Sequence, residues 1–472
     1  MHSAAISASL PPPGRQASGL AAIFCFAMDS ARYRGLLLNL FYLALASVPL
    51  SVEWFFPRWH LGLTIVSEPL LVLTAGGLGL GLLAGWLRWP SRLTRLDLLL
   101  GLHFGTLLLA SLLSTNRLAS AKYYLSLVLY ALVGYGLPRV LALSSREWRR
   151  AGGALALGTG LLVAYVLSRH LLLGFSFSLS YFIAQPFSVN GHTNLTVQLE
   201  PLLLGLSLLL GTGWAQLGRA RWLAAAGLAA TLMVVAFSFS RASFGSLLLQ
   251  AGLLLAYTRW ATAQRLLLMW AAALLVVAGT WGVLTHVHYN KSLHDTSFWQ
   301  EMQTSQDFSP ANDSNAERRS RWQLCWQLAH EFPLHGIGPG TFPDYYLDYV
   351  RRTPSHPIYL DTMQRMNAHN LYLNWLAEAG WPGLLTGLLL LTYPLAQLLR
   401  EARRRPMPLL PLGLLAYFLS FLLHSLVQDF WQEPRVMVLF WLALGLQSHW
   451  VRANNPAPPL ATGQPALAGR AR

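Results

Sequence analysis

Residues 371–397 read LYLNWLAEAGWPGLLTGLLLLTYPLAQ, an apolar run long enough to cross a membrane. About 20 apolar residues in a helix span the roughly 30 Å of hydrocarbon in a bilayer. Because lipid offers no hydrogen-bond partners to a peptide group, such a run must be helical. His369 and Asn370 stand directly before the run, and Asn374 and Glu378 lie in its first turns. Polar and titratable groups therefore lie where one end of a predicted membrane helix meets water.

Comparable apolar runs follow one another along nearly the whole chain. Of its 472 residues, 54% are hydrophobic and only 11% are charged, whereas soluble domains carry about 25% charged residues. The predicted fold class is therefore all-α, a polytopic membrane protein with about twelve transmembrane helices. The predicted spans lie near residues 35–55, 61–87, 94–113, 120–142, 151–172, 194–212, 222–239, 243–259, 265–285, 371–397, 409–428 and 433–451.

The excess of basic residues fits a membrane protein better than a nucleic-acid-binding protein. The chain has 34 Lys and Arg against 19 Asp and Glu, but the basic residues are scattered in short clusters between the apolar runs. Such clusters contact lipid head groups and set topology, because loops rich in Lys and Arg stay in the cytoplasm. The side of the termini carries 21 of the 34 basic residues. Both termini are therefore predicted to be cytoplasmic, and no nucleic-acid partner is expected.

The predicted spans divide the chain into five parts, of which the longest loop is the most informative. Between the ninth and tenth spans, residues 286–368 are polar and long enough to form a folded extracytoplasmic loop domain. The other parts are a cytoplasmic N-terminal extension that we expect to be disordered, helices 1–9, helices 10–12 and a disordered cytoplasmic tail, at residues 1–34, 35–285, 369–451 and 452–472 respectively. Met28 is an alternative start of the chain.

Several signatures of metal-dependent or cofactor-dependent chemistry are missing from the sequence. It has no Gly-x-x-x-x-Gly-Lys phosphate loop and no Asp-x-Asp pair for a metal-bound nucleotide sugar. The glycines of residues 336–340 fit a tight turn better than a dinucleotide loop, because Pro339 breaks the required register. His330 and His335 are five residues apart rather than four, and Pro333 ends any helix between them. We therefore expect neither a metal nor a cofactor.

Polar residues recur at helical spacing at the start of the tenth predicted span. On a helix, Asn370, Asn374 and Glu378 form one polar stripe. Lipid cannot face this stripe, so it must line a cavity or a protein contact. His369 lies at the N-terminal end, where the helix dipole disfavours a protonated imidazole. A neutral imidazole is what a general base requires, and a purely structural histidine is the alternative.

Arginines are the other candidates for chemistry on the same face. Arg241 lies in the short connection FSFSRASFG (residues 237–245), where an ionisable side chain usually marks a substrate path. The alternative is an arginine that reaches out to lipid head groups. Residues 317–332 have apolar residues at helical spacing, which predicts an amphipathic helix at the interface. Its apolar stripe is Trp322, Cys325, Trp326 and Ala329, and its start carries three arginines, which a solvated basic turn would also explain: Arg318, Arg319 and Arg321.

These motifs together resemble the O-antigen ligase and polymerase superfamily of membrane glycosyltransferases. His369-Asn370, followed after nine residues by Gly380 and two residues later by Gly383, is similar to the ligase signature of that superfamily. The resemblance covers about residues 90–445 and separates ligases from polymerases only weakly.

Two further motifs agree with the same superfamily. Arg318-x-x-x-Trp322 and the run FPLHGIGPG at residues 332–340 are similar to its Arg-x-x-x-Trp and Pro-Leu-x-Gly-x-Gly-x-Gly motifs. The pair Ser240-Arg241 is similar to a Ser-Arg pair at the outer end of a span. The large loop before the tenth span also agrees.

The resemblance implies a metal-independent, inverting glycosyltransferase in the inner (cytoplasmic) membrane of a bacterium. Its donor is a polyprenyl-diphosphate-linked glycan, and its acceptor is a hydroxyl of a lipid or glycolipid on the extracytoplasmic face. His369, with Glu378, is then catalytic, and the donor diphosphate is bound by Arg241, Arg318 and Arg321. The supporting positions are Asn370, Asn374, Ser240 and Asn194, the last within NGHTN (residues 190–194), which partly matches a motif of protein-glycosylating ligases.

Three other functions stay open on the sequence. They are a polymerase that extends glycan on the same lipid carrier, an enzyme that glycosylates exported protein, and a non-enzymatic transporter of the lipid-linked glycan. Transporters often show internal repeats and helices broken at the membrane midplane. The polar groups of this sequence gather at one face instead, so the ligase is favoured.

Reporter fusions at residues 310 and 403 test the predicted topology. The basic residues favour a cytoplasmic position for residue 403 and an extracytoplasmic one for residue 310. Alkaline phosphatase, which needs an oxidising compartment, should therefore be active only when it is fused at residue 310. Activity at both positions or at neither would contradict the topology and the outward-facing site.

Overall fold

The computed structural model describes residues 30–56, 61–173, 182–188, 191–238, 240–286, 313–352, 366–403, 406–431 and 433–454. Helices dominate these residues, and the sheet among them is a two-stranded antiparallel hairpin of β1 (Val52–Phe56) and β2 (Leu61–Ile65). The helices are α1 (Ser30–Ser47), α2 (Ser67–Leu83), α3 (Arg95–Leu112), α4 (Arg117–Ala131), α5 (Leu137–Leu141), α6 (Ser145–Leu173), α7 (Gly191–Gly213), α8 (Ala220–Ala236), α9 (Arg241–Tyr257), α10 (Trp260–His286), α11 (Asp313–Glu331), α12 (Phe342–Arg352), α13 (Leu371–Glu401), α14 (Leu409–Ser425) and α15 (Pro434–Asn454). A π-helical turn, Leu132–Gly136, joins α4 to α5.

By length and composition, eight of the described helical segments could cross a membrane. They are Ser30–Leu50, Arg95–Leu112, Arg117–Leu141, Ser145–Leu173, Asn194–Gly213, Trp260–Thr280, Leu371–Glu401 and Pro434–Asn454. Four shorter apolar helices, α2, α8, α9 and α14, lie between them in the chain. The helical membrane fold class is therefore confirmed. Each predicted span overlaps one of these segments, while the number of spans that cross the bilayer stays a prediction.

The first predicted span, 35–55, is wrong at both ends. α1 already begins at Ser30, so residues 30–34 are helical rather than part of a disordered extension. α1 ends at Ser47, and after a 3-10 turn the chain enters the β-hairpin at residues 52–56. This stretch reads VEWFF, and its β-branched and aromatic residues favour a strand.

An aromatic cluster holds the N-terminal half of α13 against α15. Trp375 of α13 and Trp431, in the connection before α15, meet edge to face with ring centroids 4.9 Å apart. Trp431 also lies 5.8 Å from Trp441 and 5.6 Å from Phe440 of α15. Helices in lipid gain little hydrophobic free energy from meeting, so packing contacts of this kind hold them together. Each aromatic pair adds about 0.5–1.5 kcal/mol beyond its buried area.

The polar loop contributes two helices, α11 and α12, that pack over the same half of α13. Leu324, Cys325 and Leu328 of α11 are buried in this contact. Trp326, part of the predicted apolar stripe, is 47% exposed, and its ring lies 6.3 Å from that of the partly exposed Trp381. The buried face of α11 is therefore shifted toward its leucines, because tryptophan at a membrane interface keeps its polar edge outward.

Candidate active site

A break in α13 creates the attachment point for the glycine-rich turn. At Gly380 the backbone leaves the helical region (φ 66°, ψ −168°). The N–H of Trp381 then donates to the carbonyl of Pro333 (2.9 Å), and Pro382 has no N–H to donate. Two helix carbonyls just before the break are thereby left without partners within α13.

The glycine-rich turn takes both of these carbonyls. Ile337 N–H donates to the carbonyl of Ala377 at 3.0 Å, and Gly338 N–H donates to that of Glu378 at 2.9 Å. On its other side the turn meets the α3–α4 connection, because the N–H and the hydroxyl of Thr115 donate to the Ile337 carbonyl at 3.2 and 3.1 Å. The turn is thus held between α13 and the α3–α4 connection.

This close contact explains the Gly-x-Gly-x-Gly spacing. Gly336, Gly338 and Gly340 have φ values of 64°, 108° and 78°, a region that favours glycine. An added Cβ at Gly336 would collide with the Glu378–Ala379 peptide, and one at Gly338 would collide with a serine of the α3–α4 connection. The prediction of a tight turn rather than a dinucleotide loop is therefore confirmed.

Both carboxyl oxygens of Glu378 accept hydrogen bonds next to the glycine-rich turn. Its Oε1 accepts a hydrogen bond from the N–H of Phe342 (3.0 Å), the first residue of α12, and its Oε2 accepts one from Asn374 Nδ2 (3.0 Å). The side chains of both polar-stripe residues are buried, with 2% of Glu378 and 0% of Asn374 exposed. The stripe of the sequence is therefore a protein contact, and the Glu378 carboxyl group binds the N-terminal end of α12.

The segment before α13 is held by side chains of α11. The indole N–H of Trp322 donates to the Ala368 carbonyl (3.2 Å), and Nη1 of Arg321 donates to the Asn367 carbonyl (3.1 Å). Arg321 also pairs with Glu317, and 2% of it is exposed. The sequence grouped Arg321 with the diphosphate-binding arginines, whereas the structure binds its guanidinium within the protein.

These contacts fix the backbone at His369. Its φ of 48° is in the left-handed region, which costs a residue with a Cβ about 1–2 kcal/mol. Its N–H donates to Asn367 Oδ1 (3.1 Å). The next residue, Asn370, caps α13 by accepting from Leu373 N–H (3.0 Å) and donates to the Leu426 carbonyl (3.0 Å). These hydrogen bonds therefore fix the backbone from which the imidazole of His369 extends.

The surroundings of His369 keep its side chain neutral. Burial lowers the pKa of the imidazole most, and the positive charges of Arg321 and Arg318 lower it further, to about 3. A hydrogen bond with Gln428 acts in the opposite direction. The sequence predicted a neutral imidazole from the helix dipole. The structure confirms the direction and assigns it mainly to burial and to the neighbouring arginines.

The connection between α14 and α15 supplies site residues that the sequence interpretation missed. Gln428 contacts the side chain of His369 and also donates to Asn194 Oδ1 of α7 (3.4 Å). Asp429 is buried, its carbonyl accepts from Asn367 Nδ2 (3.4 Å), and burial raises the pKa of its carboxyl group to about 6. The sequence signal for both was a polar Gln-Asp pair in the short connection between two apolar spans.

The remaining predicted residues lie at the same end of the bundle. Ser240 is buried and directly precedes α9, whose first residue is Arg241. The side chain of Arg241 lies outside the described part of the structure. Its helix is joined to α7 by a hydrogen bond between Ser243 and Thr196, two residues beyond Asn194. The helix ends that carry Arg241 and Asn194 are therefore neighbours.

No group of three or more His, Cys, Asp or Glu side chains suited to a metal occurs among the described residues. The fold defines a polytopic helical membrane protein whose candidate site lies around His369 at one end of its bundle.

Residues 225–388 match the family model Wzy_C, described as O-Antigen ligase, so this part of the chain is similar to the O-antigen ligase superfamily. The match includes Arg241, Arg318 and His369 but not Asn194 or Gln428. Comparison with curated proteins found no match.

Replacing Gly338 by alanine should destabilise the protein, because the added Cβ disturbs the contact between the glycine-rich turn and the α3–α4 connection. The Cβ would need a left-handed backbone and a displaced serine, a combination worth about 2–5 kcal/mol. Gly279→Ala is the matched control, because an added Cβ there meets nothing within 4 Å. In detergent, Gly338→Ala should unfold at a clearly lower temperature than the wild type, whereas Gly279→Ala should not. Equal melting of the two variants would contradict this contact.

Proposed function

We propose that this protein transfers a glycan from a polyprenyl diphosphate to a hydroxyl of a lipid or glycolipid acceptor. The observation that carries the proposal is a neutral, backbone-braced His369 within electrostatic range of Arg318. The match to O-antigen ligases supports the same reaction class. We place the site on the extracytoplasmic face of the cytoplasmic membrane of a bacterium, on the strength of the basic-residue asymmetry.

In the proposed reaction His369 is the general base. The acceptor oxygen forms a bond to the anomeric carbon while the bond from that carbon to the diphosphate oxygen breaks. The electron pair leaves with the diphosphate, and the acceptor proton moves to the imidazole of His369. Attack opposite the leaving group inverts the anomeric centre, and no covalent enzyme intermediate forms.

The low pKa of His369 fits a general base whose basicity increases when the glycan donor binds. In the free protein burial, together with the charges of Arg321 and Arg318, holds the pKa of His369 near 3, which makes the imidazole a weak base. A bound diphosphate brings negative charge next to the same arginines and offsets them. The pKa of His369 should therefore rise when the donor binds, so that proton removal becomes effective only when a leaving group is present.

We propose that Arg241 and Arg318 bind the diphosphate and replace a metal ion in that role. Guanidinium groups bind phosphate oxygens through two parallel hydrogen bonds and stay charged at any relevant pH. They can therefore stabilise the charge that develops on the leaving group. Arg321 and Glu378 contribute indirectly. Arg321 holds the backbone before His369, and Glu378 holds the glycine-rich turn.

Deletion of the gene tests the proposed function in the cell. If the protein is a ligase, the surface acceptor should lose all long glycan chains while lipid-linked polymer accumulates. Acceptors that carry single repeat units would indicate a polymerase instead, and an unchanged surface glycan would contradict both functions.

His369→Ala should lower the transfer rate by about 10²- to 10⁴-fold, the usual contribution of a general base. The assay uses purified protein, a polyprenyl-diphosphate-linked glycan and a lipid acceptor in excess EDTA, where the wild type should stay active. His330→Ala, at an exposed histidine of α11, is the control and should match the wild type. Near wild-type turnover of His369→Ala would remove this residue from the mechanism, and loss of wild-type activity in EDTA would contradict metal independence.

The pH dependence should identify the base. Because the pKa of His369 in the free protein is lowered to about 3, the acid limb of kcat/KM should lie well below pH 6. Arg318→Gln removes one of the charges that lower this pKa, so the limb should move to higher pH. Arg319→Gln, at an exposed position of the same helix, should leave it in place. A limb near pH 6 that ignores Arg318→Gln would point to Asp429, whose pKa is raised to about 6 by burial.

A further inference from the structure

A cluster of polar side chains lies buried between three membrane helices, below the candidate site. It consists of Glu200 of α7, Ser246 and Gln250 of α9, and Ser420 and His424 of α14. Of these, 1% of Glu200 is exposed and 0% of each of the others. We call this group the Glu200 cluster.

Glu200 is the centre of the cluster because its carboxylate bonds to both neighbouring helices. Its Oε1 accepts from the Ser246 hydroxyl of α9 (2.5 Å) and lies 2.8 Å from His424 Nε2 of α14. Its Oε2 accepts from the Ser420 hydroxyl (2.5 Å). Gln250 Nε2 donates to the same two hydroxyls at 3.1 and 3.2 Å.

A buried acid in a membrane helix is costly unless it is paired, so breaking such a pair is strongly destabilising. The three helices are therefore fixed in one register by these hydrogen bonds. Apolar packing alone would hold them together without fixing how far each helix lies along its neighbours, because lipid-facing surfaces are equally apolar.

Each of the three helices leads directly into the candidate site. α9 begins at Arg241, five residues before Ser246. α7 carries Asn194, six residues before Glu200, and α14 is followed by Gln428, four residues after His424. Gln428 links Asn194 to the side chain of His369.

The end of α14 also holds the backbone at the same place. The carbonyl of Leu426 accepts the amide of Asn370, the residue after His369. The Glu200 cluster thus joins the start of the helix that carries Arg241 to the two contacts that hold His369.

We propose that Glu200 is a positioning residue, which sets the separation between the donor-binding end of α9 and the base His369. This inference rests on the proposed function. Glu200 touches neither substrate, so its effect runs through the helix register, and a displacement of about 1 Å between reacting groups can cost about 10²-fold in rate. The cluster therefore acts on turnover more than on donor affinity.

Glu200→Gln tests the proposal by kinetics. Glutamine keeps the size of the side chain but replaces one acceptor oxygen by a donor, so it cannot accept from Ser246 and Ser420 while also bonding His424. We expect kcat to fall by about 10- to 100-fold with little change in KM for the donor. A wild-type kcat, or a loss confined to KM, would overturn the proposal.

A matched pair of variants separates positioning from general loss of a buried polar group. Gln250→Leu removes the amide that bridges Ser246 and Ser420. Gln447→Leu removes an equally buried amide whose Nε2 donates to Pro394 and Gln397, at the far end of α13 and α15. Gln250→Leu should lower kcat, and Gln447→Leu should not. Equal losses in the two variants would mean that the effect is on stability alone.

A distance measurement decides the same question without any transfer assay. Spin labels at Ala242 of α9 and at the exposed Leu426 report the separation of the two segments, in full-length protein with Cys25 and Cys325 replaced by alanine. The distance distribution should shift or broaden by about 1–2 Å in Glu200→Gln.

Gln447→Leu is the control for these labels and should keep the wild-type distribution. An unchanged distribution in Glu200→Gln would overturn the positioning role, whatever the protein transfers. Absence of transfer by the wild type would instead count against the proposed function, and the labels would still decide whether Glu200 sets the separation.

Discussion

The organisation of the site depends on one interruption, the break of α13 at Gly380. A continuous helix would use the carbonyls of Ala377 and Glu378 internally, whereas the break and the missing N–H of Pro382 offer them to the glycine-rich turn. Through this turn and the Glu378 carboxylate, the helices of the polar loop dock on a membrane helix. That docking places α11 where its side chains can hold the backbone before His369.

Docking also sets the electrostatics of the site. Burial lowers the pKa of His369 most, and α11 adds to the effect because it brings Arg321 and Arg318 close to the imidazole. When no donor is bound, the arginines make the site positive while His369 is neutral. Such a site is suited to an anionic leaving group, because binding that group offsets the positive charge. The position and the pKa of His369 therefore have the same structural origin.

Much of the fold and of the site could be predicted from the sequence, because lipid imposes a strong and local constraint. The apolar runs fixed the helices, and the spacing at Gly336, Gly338 and Gly340 fixed the turn. The predicted apolar stripe of α11 includes Trp326, which stays 47% exposed, since an interfacial tryptophan counts as apolar in a periodic pattern although it keeps one edge outward.

Contacts between distant parts of the chain could not be predicted in this way. The contact of Arg321 with the Asn367 carbonyl is an example, because nothing in the segment of Arg321 shows that Asn367 lies beside it. Gln428 and Glu200 belong to no periodic pattern of polar residues. A single polar residue in or beside an apolar run does not show which residue it contacts. Their roles depend on which helices are neighbours, which a single sequence does not contain.

The most direct test of the account is a double-mutant cycle on donor binding. Affinity for a non-hydrolysable polyprenyl-diphosphate glycan analogue is measured by calorimetry for Arg241→Ala, Arg318→Ala and the double variant, with Arg319→Ala as the exposed control on α11. If Arg241 and Arg318 share one diphosphate, the combined loss should be smaller than the sum of the single losses. Fully additive losses, or an equal loss for Arg319→Ala, would contradict a common diphosphate site beside His369.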